Sequence, residues 1–204
     1  MITAPPAHVD LWFDPVSGSA WLASRWMAEV AQRREIDLRF RVMSLSVLNE
    51  HKDLPPAYRE LNDGSWGPAR VMAAAAHQHG EEVTAPLYTA MGNLMHVGGD
   101  KDFSTVLPKA LQEVGLPADL ASVADTDEFD HMLRASHQAG VDLVGEDVGT
   151  PILCIDGAAI FGPALTAVPR GEKAAELFDS IRRLVQYPHF FELKRTGRGP
   201  FNFN

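Results

Sequence analysis

Asp14-Pro15-Val16-Ser17-Gly18-Ser19-Ala20-Trp21 decides the fold of this chain. The stretch sits where a short apolar strand (Val9, Leu11, Trp12, Phe13) gives way to a long amphipathic helix. A chain that leaves a strand for a helix in this way gathers unpaired backbone N–H groups and the positive end of the helix dipole in one place, which favours anions. Apolar positions then recur at helical spacing (Leu22, Trp26, Met27, Val30), and Arg33 and Arg34 follow where cations suit a helix C-terminus. Ile36, Leu38, Phe40 and Val42 alternate with Asp37, Arg39 and Arg41, the pattern of a half-buried strand. The result is a βαβ unit, for which a parallel pair with a right-handed crossover is expected.

From Pro55 to about Gly145 the pattern is helical throughout. Periodic stretches run over 68–79, 86–96, 104–114 and 128–143, and the breaks carry Gly80, Gly98-Gly99, Gly115-Leu116-Pro117 and Gly140. Asp125-Thr126-Asp127 is expected to cap the helix that follows. Strand character returns over 152–155, with a tight turn at Asp156-Gly157, a second strand through Ile160-Phe161 and a last helix over 172–186. This order predicts an α/β, thioredoxin-like fold with a helical insertion: residues 1–54 and 146–204 as the core, 55–145 as the insertion.

Composition narrows the function. The 204 residues are 46% hydrophobic and 22% charged, ordinary for a globular protein, and no apolar run is long enough to span a bilayer. A net charge of -9 and pI near 5.3 argue against a nucleic-acid backbone as partner. The basic cluster Lys194-Arg195-Thr196-Gly197-Arg198 reads as a solvated segment. Met1 to Pro6 has neither a basic nor an apolar export region, so a cytoplasmic location is expected, with a small-molecule substrate, no membrane partner and a homodimer as one option for assembly. Cys154 is the one cysteine, which rules out an intramolecular disulfide, a Cys-x-x-Cys cycle and a thiolate-rich zinc site. The eight histidines are dispersed, and His77 and His79 point to different faces of a helix, so no metal site is expected.

Three segments carry a resemblance. Asp14-x-x-Ser17-x-x-Ala20-Trp21-Leu22 resembles the first-helix motif of kappa-class glutathione transferases and 2-hydroxychromene-2-carboxylate isomerases, where serine stands at the position of a redox cysteine. Gly149-Thr150-Pro151, with Ile155-Asp156-Gly157 and Phe161-Gly162-Pro163, is similar to the cis-proline and hairpin segment of DsbA-like proteins. The wider text, including Trp12-Phe13-Asp14-Pro15, Trp66-Gly67-Pro68 and Tyr187-Pro188-His189-Phe190-Phe191-Glu192-Leu193-Lys194, resembles actinobacterial mycothiol-dependent nitroreductases. Those enzymes carry Cys-Pro-Trp-Cys where this chain has Ser17-Gly18-Ser19-Ala20. The resemblance therefore implies the fold, the helix-terminus pocket and a low-molecular-weight thiol, mycothiol ahead of glutathione, but not dithiol chemistry.

Ser17 is accordingly the candidate catalytic residue: its hydroxyl can donate to the sulfur of a bound thiol and favour the thiolate. An ordinary N-cap serine would look the same in sequence. Ser19 is a second candidate donor. The resemblance implies a cis Thr150–Pro151 bond that offers the Thr150 main chain to the amide of a thiol cofactor, in the manner of an added strand. Trp21 and Trp66 are candidate substrate contacts, although aromatics at helical spacing usually pack in a core. His51, Tyr58 and Arg70 are expected to line the insertion's cleft or its surface, and Cys154 to be buried and inert. For these residues the resemblance implies a thiol-dependent isomerase or S-transferase; the alternatives are a ligand-binding paralogue without catalysis, or redox work through Cys154 and an outside thiol.

Overall fold

A computed structural model of the chain describes residues 6–197 and 199–203. The stretch read for an export signal lies outside these apart from Pro6, as does Arg198 of the basic cluster. In chain order the elements are β1 (Ala7–Phe13), α1 (Gly18–Ala31), β2 (Ile36–Val42), α2 (Leu45–Leu48), α3 (Pro56–Asp63), α4 (Trp66–His79), α5 (Thr84–Gly92), α6 (Phe103–Glu113), α7 (Asp130–Val144), β3 (Ile152–Ile155), β4 (Ala158–Phe161) and α8 (Glu172–Val185). Short 3-10 segments cover Glu81–Val83 and Ala118–Asp125, and α5 runs on into a π-helical turn at Asn93–Val97.

The sheet order is β2-β1-β3-β4. β1 pairs parallel with β2, Val9 opposite Leu38 and Phe13 opposite Val42, and antiparallel with β3, Val9 opposite Ile155. β3 and β4 form the antiparallel hairpin, turning at Asp156 and Gly157, both in the left-handed region. β1 is thus central, and its sequence shows why both its faces are covered. Val9, Leu11 and Phe13 face one large core shared with α1, α4, α5, α6 and α8, whereas Trp12 faces a smaller one with Met43, Val141, Ile152 and Cys154. The indole of Trp12 donates to Ser136 O at 2.9 Å, and Gly140 admits it to the surface of α7: a methyl there would lie 2.7 Å from the ring.

Every element between β2 and β3 is helical among the described residues. This block does not carry a core of its own. Phe13 of β1 stacks on Tyr88 of α5 with ring centroids 3.8 Å apart, and Phe40 of β2 meets the same tyrosine edge-on at 6.2 Å.

Two local expectations differ from the structure. Arg33 and Arg34 lie beyond the end of α1, whose cap is Gln32; Arg34 instead reaches α8, pairing with Asp179 and Glu172 at 2.8 Å each. Asp125-Thr126-Asp127 does not cap α7 through a side chain. Asp125 closes the preceding 3-10 segment and the Thr126 hydroxyl donates back to Val123 O, so local bonding has taken the residues that capping would have used.

Candidate functional site at the α1 terminus

The chain leaves β1 at Phe13 and turns through Asp14 into α1. Asp14 is fully buried, and its carboxylate is the fixed point of that turn. It accepts from Val16 N–H at 2.8 Å and from Leu45 N–H at 2.6 Å, tying the start of α1 to the start of α2. Burial pushes its pKa up to about 6 despite these two donors. Thr150 closes the turn from the other side, accepting from Asp14 N–H at 3.3 Å and donating to Trp12 O at 3.2 Å. The Thr150–Pro151 peptide is cis, and Pro151 O accepts from Gly162 N–H at 2.8 Å.

Ser17 is the N-cap of α1, with extended backbone (φ -79°, ψ 112°). Its Oγ accepts from Ala20 N–H at 3.2 Å, and its carbonyl takes the first helical bond from Trp21 N–H at 2.9 Å. A hydroxyl has one hydrogen and two lone pairs, so capping uses an acceptor and leaves the hydrogen to donate. Capping and thiol activation are therefore compatible roles for one serine. Two residues on, Ser19 Oγ is buried and has no hydrogen-bond partner. A buried hydroxyl left unpaired at a helix N-terminus, where the field favours an anion, is chemically suited to a thiolate.

Trp21 is 1% exposed and faces the core: it packs edge-on to Tyr88 at 5.6 Å, under Arg25 at 4.3 Å, and stacks on His96 at 5.6 Å. His96, on the π-helical turn after α5, bonds Pro15 O through Nε2 at 3.1 Å, and burial lowers its pKa to about 4, so at neutral pH the ring is uncharged. It closes the α1 terminus from above together with Phe203, whose ring is 5.4 Å away.

Trp66 lies elsewhere. Its ring is flanked by the guanidinium groups of Arg70 at 5.0 Å and Arg134 at 5.3 Å, beside a cavity of about 630 Å³ lined from the helical block alone, Phe103, Leu107 and Ala121 included. Arg70 is held there by Asp130 at 2.7 Å. His51 and Tyr58 are exposed. Cys154 is buried on β3, and burial raises its thiol pKa, the opposite of what a reactive thiolate needs. Among the described residues no three His, Cys, Asp or Glu side chains are grouped to hold a metal, and no helix is long and apolar enough to cross a membrane.

Three participants at this terminus were not singled out by sequence. His96 read as one of several scattered histidines, and Phe201 and Phe203 were given no role. The signals present were the double glycine after His96 and the alternation Phe201-Asn202-Phe203 following a polar stretch.

Residues 16–195 match the family model described as Rv2466c-like, mycothiol-dependent nitroreductase Rv2466c. The chain belongs to this family. A Mycobacterium tuberculosis relative described as uncharacterized protein Rv2286c is 30% identical over 194 residues, 92% of this chain and 81% of that protein. Among solved structures, 2-hydroxychromene-2-carboxylate isomerase superposes with a TM-score of 0.60 at 14% identity, covering 88% of this chain and 96% of its own. The cytosolic disulfide reductase DsbM from Pseudomonas aeruginosa, solved with GSH, gives 0.57 at 15% identity, covering 87% and 100%. At such identities these two speak for the fold alone: a thioredoxin-like, DsbA-like α/β architecture. This chain carries Ser17-Gly18-Ser19-Ala20 at the helix terminus, and its one cysteine, Cys154, lies more than a hundred residues further along the sequence.

Proposed function

We propose that this member of the Rv2466c-like family is a thiol-dependent isomerase or S-transferase that holds a low-molecular-weight thiol, mycothiol ahead of glutathione, at the N-terminus of α1. The observation that carries the reading is the pair of serine hydroxyls there: Ser17 Oγ fixed by Ala20 N–H with its hydrogen left to donate, and Ser19 Oγ buried without a partner. When bound, the thiol supplies a nucleophilic sulfur for addition to an activated double bond or for transfer.

The chain's own residues do the rest. Ser17 donates to the sulfur and, with the positive end of α1, favours its ionised form. Ser19 offers a second donor from the same turn. Asp14 and Thr150 hold the turn so that both hydroxyls stay in place, and the Thr150 main chain is the edge to which the cofactor's amide pairs. Mycothiol is preferred to glutathione because of the family. A cytoplasmic setting, where such thiols abound, fits the same reading, as does a division into a core of residues 1–54 and 146–204 with residues 55–145 inserted.

Calorimetric titration of mycothiol and of glutathione, in wild type and Ser17→Ala at several pH values, tests the reading. Binding that weakens in Ser17→Ala and tightens as pH rises toward the thiol pKa is expected. If neither thiol binds at millimolar concentration, a ligand-binding protein without catalysis replaces the enzyme.

A further inference from the structure

The α1 terminus is covered by the chain itself. Gly18, the first helical residue after Ser17, carries no side chain, and the space a methyl would take is filled by two rings: Phe203 Cζ at 3.0 Å, Phe201 Cδ2 at 3.2 Å and Cε2 at 3.3 Å. Those rings lie 5.6 Å from one another at 35°, and Phe203 is tilted against His96 at 5.4 Å. Asn202 N–H donates to Thr166 O at 2.7 Å, fastening the segment by its main chain. Between Val185 and these residues the described chain has no regular structure, and Phe191 and Leu193 are 86% and 82% exposed. Phe201 itself remains 39% exposed.

These contacts make a slot with a floor at Gly18 and a wall at neutral His96, filled by the planar rings of Phe201 and Phe203, the second of which also packs against the main core. We propose that the slot is a binding subsite for a planar, apolar part of the substrate, and that Phe201 and Phe203 occupy it until substrate displaces them. The subsite rests on Ser17 marking the working end of α1, and it gives the substrate a class: an electrophile bearing an aromatic or conjugated ring that lies on Gly18 with its reacting carbon toward Ser17. Glycine at position 18 is what permits either occupant, because any side chain there would stand in the slot.

The test reads access to position 17 and uses no cofactor, so failure of the thiol-dependent function leaves it interpretable. Ser17→Cys is combined with Cys154→Ala, and the alkylation rate of the introduced thiol by iodoacetamide is measured with and without Phe201→Ala and Phe203→Ala. A cover open a tenth of the time or less predicts an increase of about tenfold or more on removing the rings. In the ring-deleted protein, 2-naphthol as a neutral planar probe should slow alkylation again. Equal rates with and without the rings overturn the cover, and absence of protection by 2-naphthol overturns the subsite. Should the double substitution impair folding by circular dichroism, Phe203→Ala alone makes the same comparison.

Discussion

At the scale of single residues, Asp14 anchors the turn and Ser17 caps α1, and the proposed chemistry rests on the Ser17 hydroxyl. Ser17→Ala removes one donor and leaves the backbone amides and dipole, so thiol-dependent turnover should fall by roughly ten- to a hundred-fold rather than vanish, as expected for a charge-assisted hydrogen bond of ~1.5–3 kcal/mol. Comparing kcat/KM of the two proteins checks this. Asp14 behaves differently, because its carboxyl holds its proton more tightly folded, at about 6, than its ordinary 3.8. Its contribution to stability is therefore fully present below the lower value and lost as pH rises through the higher one. Relative to Asp14→Asn, wild type should lose up to about 3 kcal/mol between pH 4 and pH 7, seen as converging or crossing urea midpoints. A difference independent of pH would show that Asp14 is not the titrating group. The N-cap position of Ser17 was legible because a helix start announces itself locally, through a serine two residues past a proline and an apolar run behind it. Burial of Asp14 was not, since Leu45, which supplies its shorter hydrogen bond, is 31 positions away.

Among elements, the approach of α1 to α5 sets the height of the site. Trp21 fills the gap between them, and a methyl on Gly92 would lie 2.1 Å from its ring. Tyr88 and Arg25 bound the same ring on other sides, so it has nowhere to retreat. Gly92→Ala should therefore destabilise the protein by about 1–3 kcal/mol in urea unfolding, although alanine in place of a helical glycine would by itself add up to about 1 kcal/mol. A stabilised variant would mean that the two helices can part. The strands and most helices were readable because their periodicities of 2 and 3.6 persist over whole elements, as in Ile36-Asp37-Leu38-Arg39-Phe40-Arg41-Val42. Helix ends were read less well, since Gln32 rather than the arginines caps α1 and Phe129 rather than an aspartate precedes α7. The helical periodicity over 86–96 did not distinguish the π-helical turn at Asn93–Val97 that sets His96 against Pro15, a product of packing rather than of propensity.

The molecule as a whole has a thioredoxin-like, DsbA-like architecture and a single, buried cysteine. With Cys154 alone, buried and its thiol pKa raised, purified protein should reduce no insulin in a dithiol-coupled assay, and Cys154→Ala should behave as wild type. Turnover matching a dithiol oxidoreductase would contradict the assignment of the α1 terminus to an external thiol. Sequence showed the sheet and the helical block as separate stretches, and could not show how they meet, because Phe13 and Tyr88 are joined only by the fold. That stacked pair, 3.8 Å between centroids, lies in the one large core that both parts use. The helical block is therefore no cassette: grafted onto another sheet of the same topology it would arrive with half of an aromatic seam, and evolution can vary it only in step with the strands beneath.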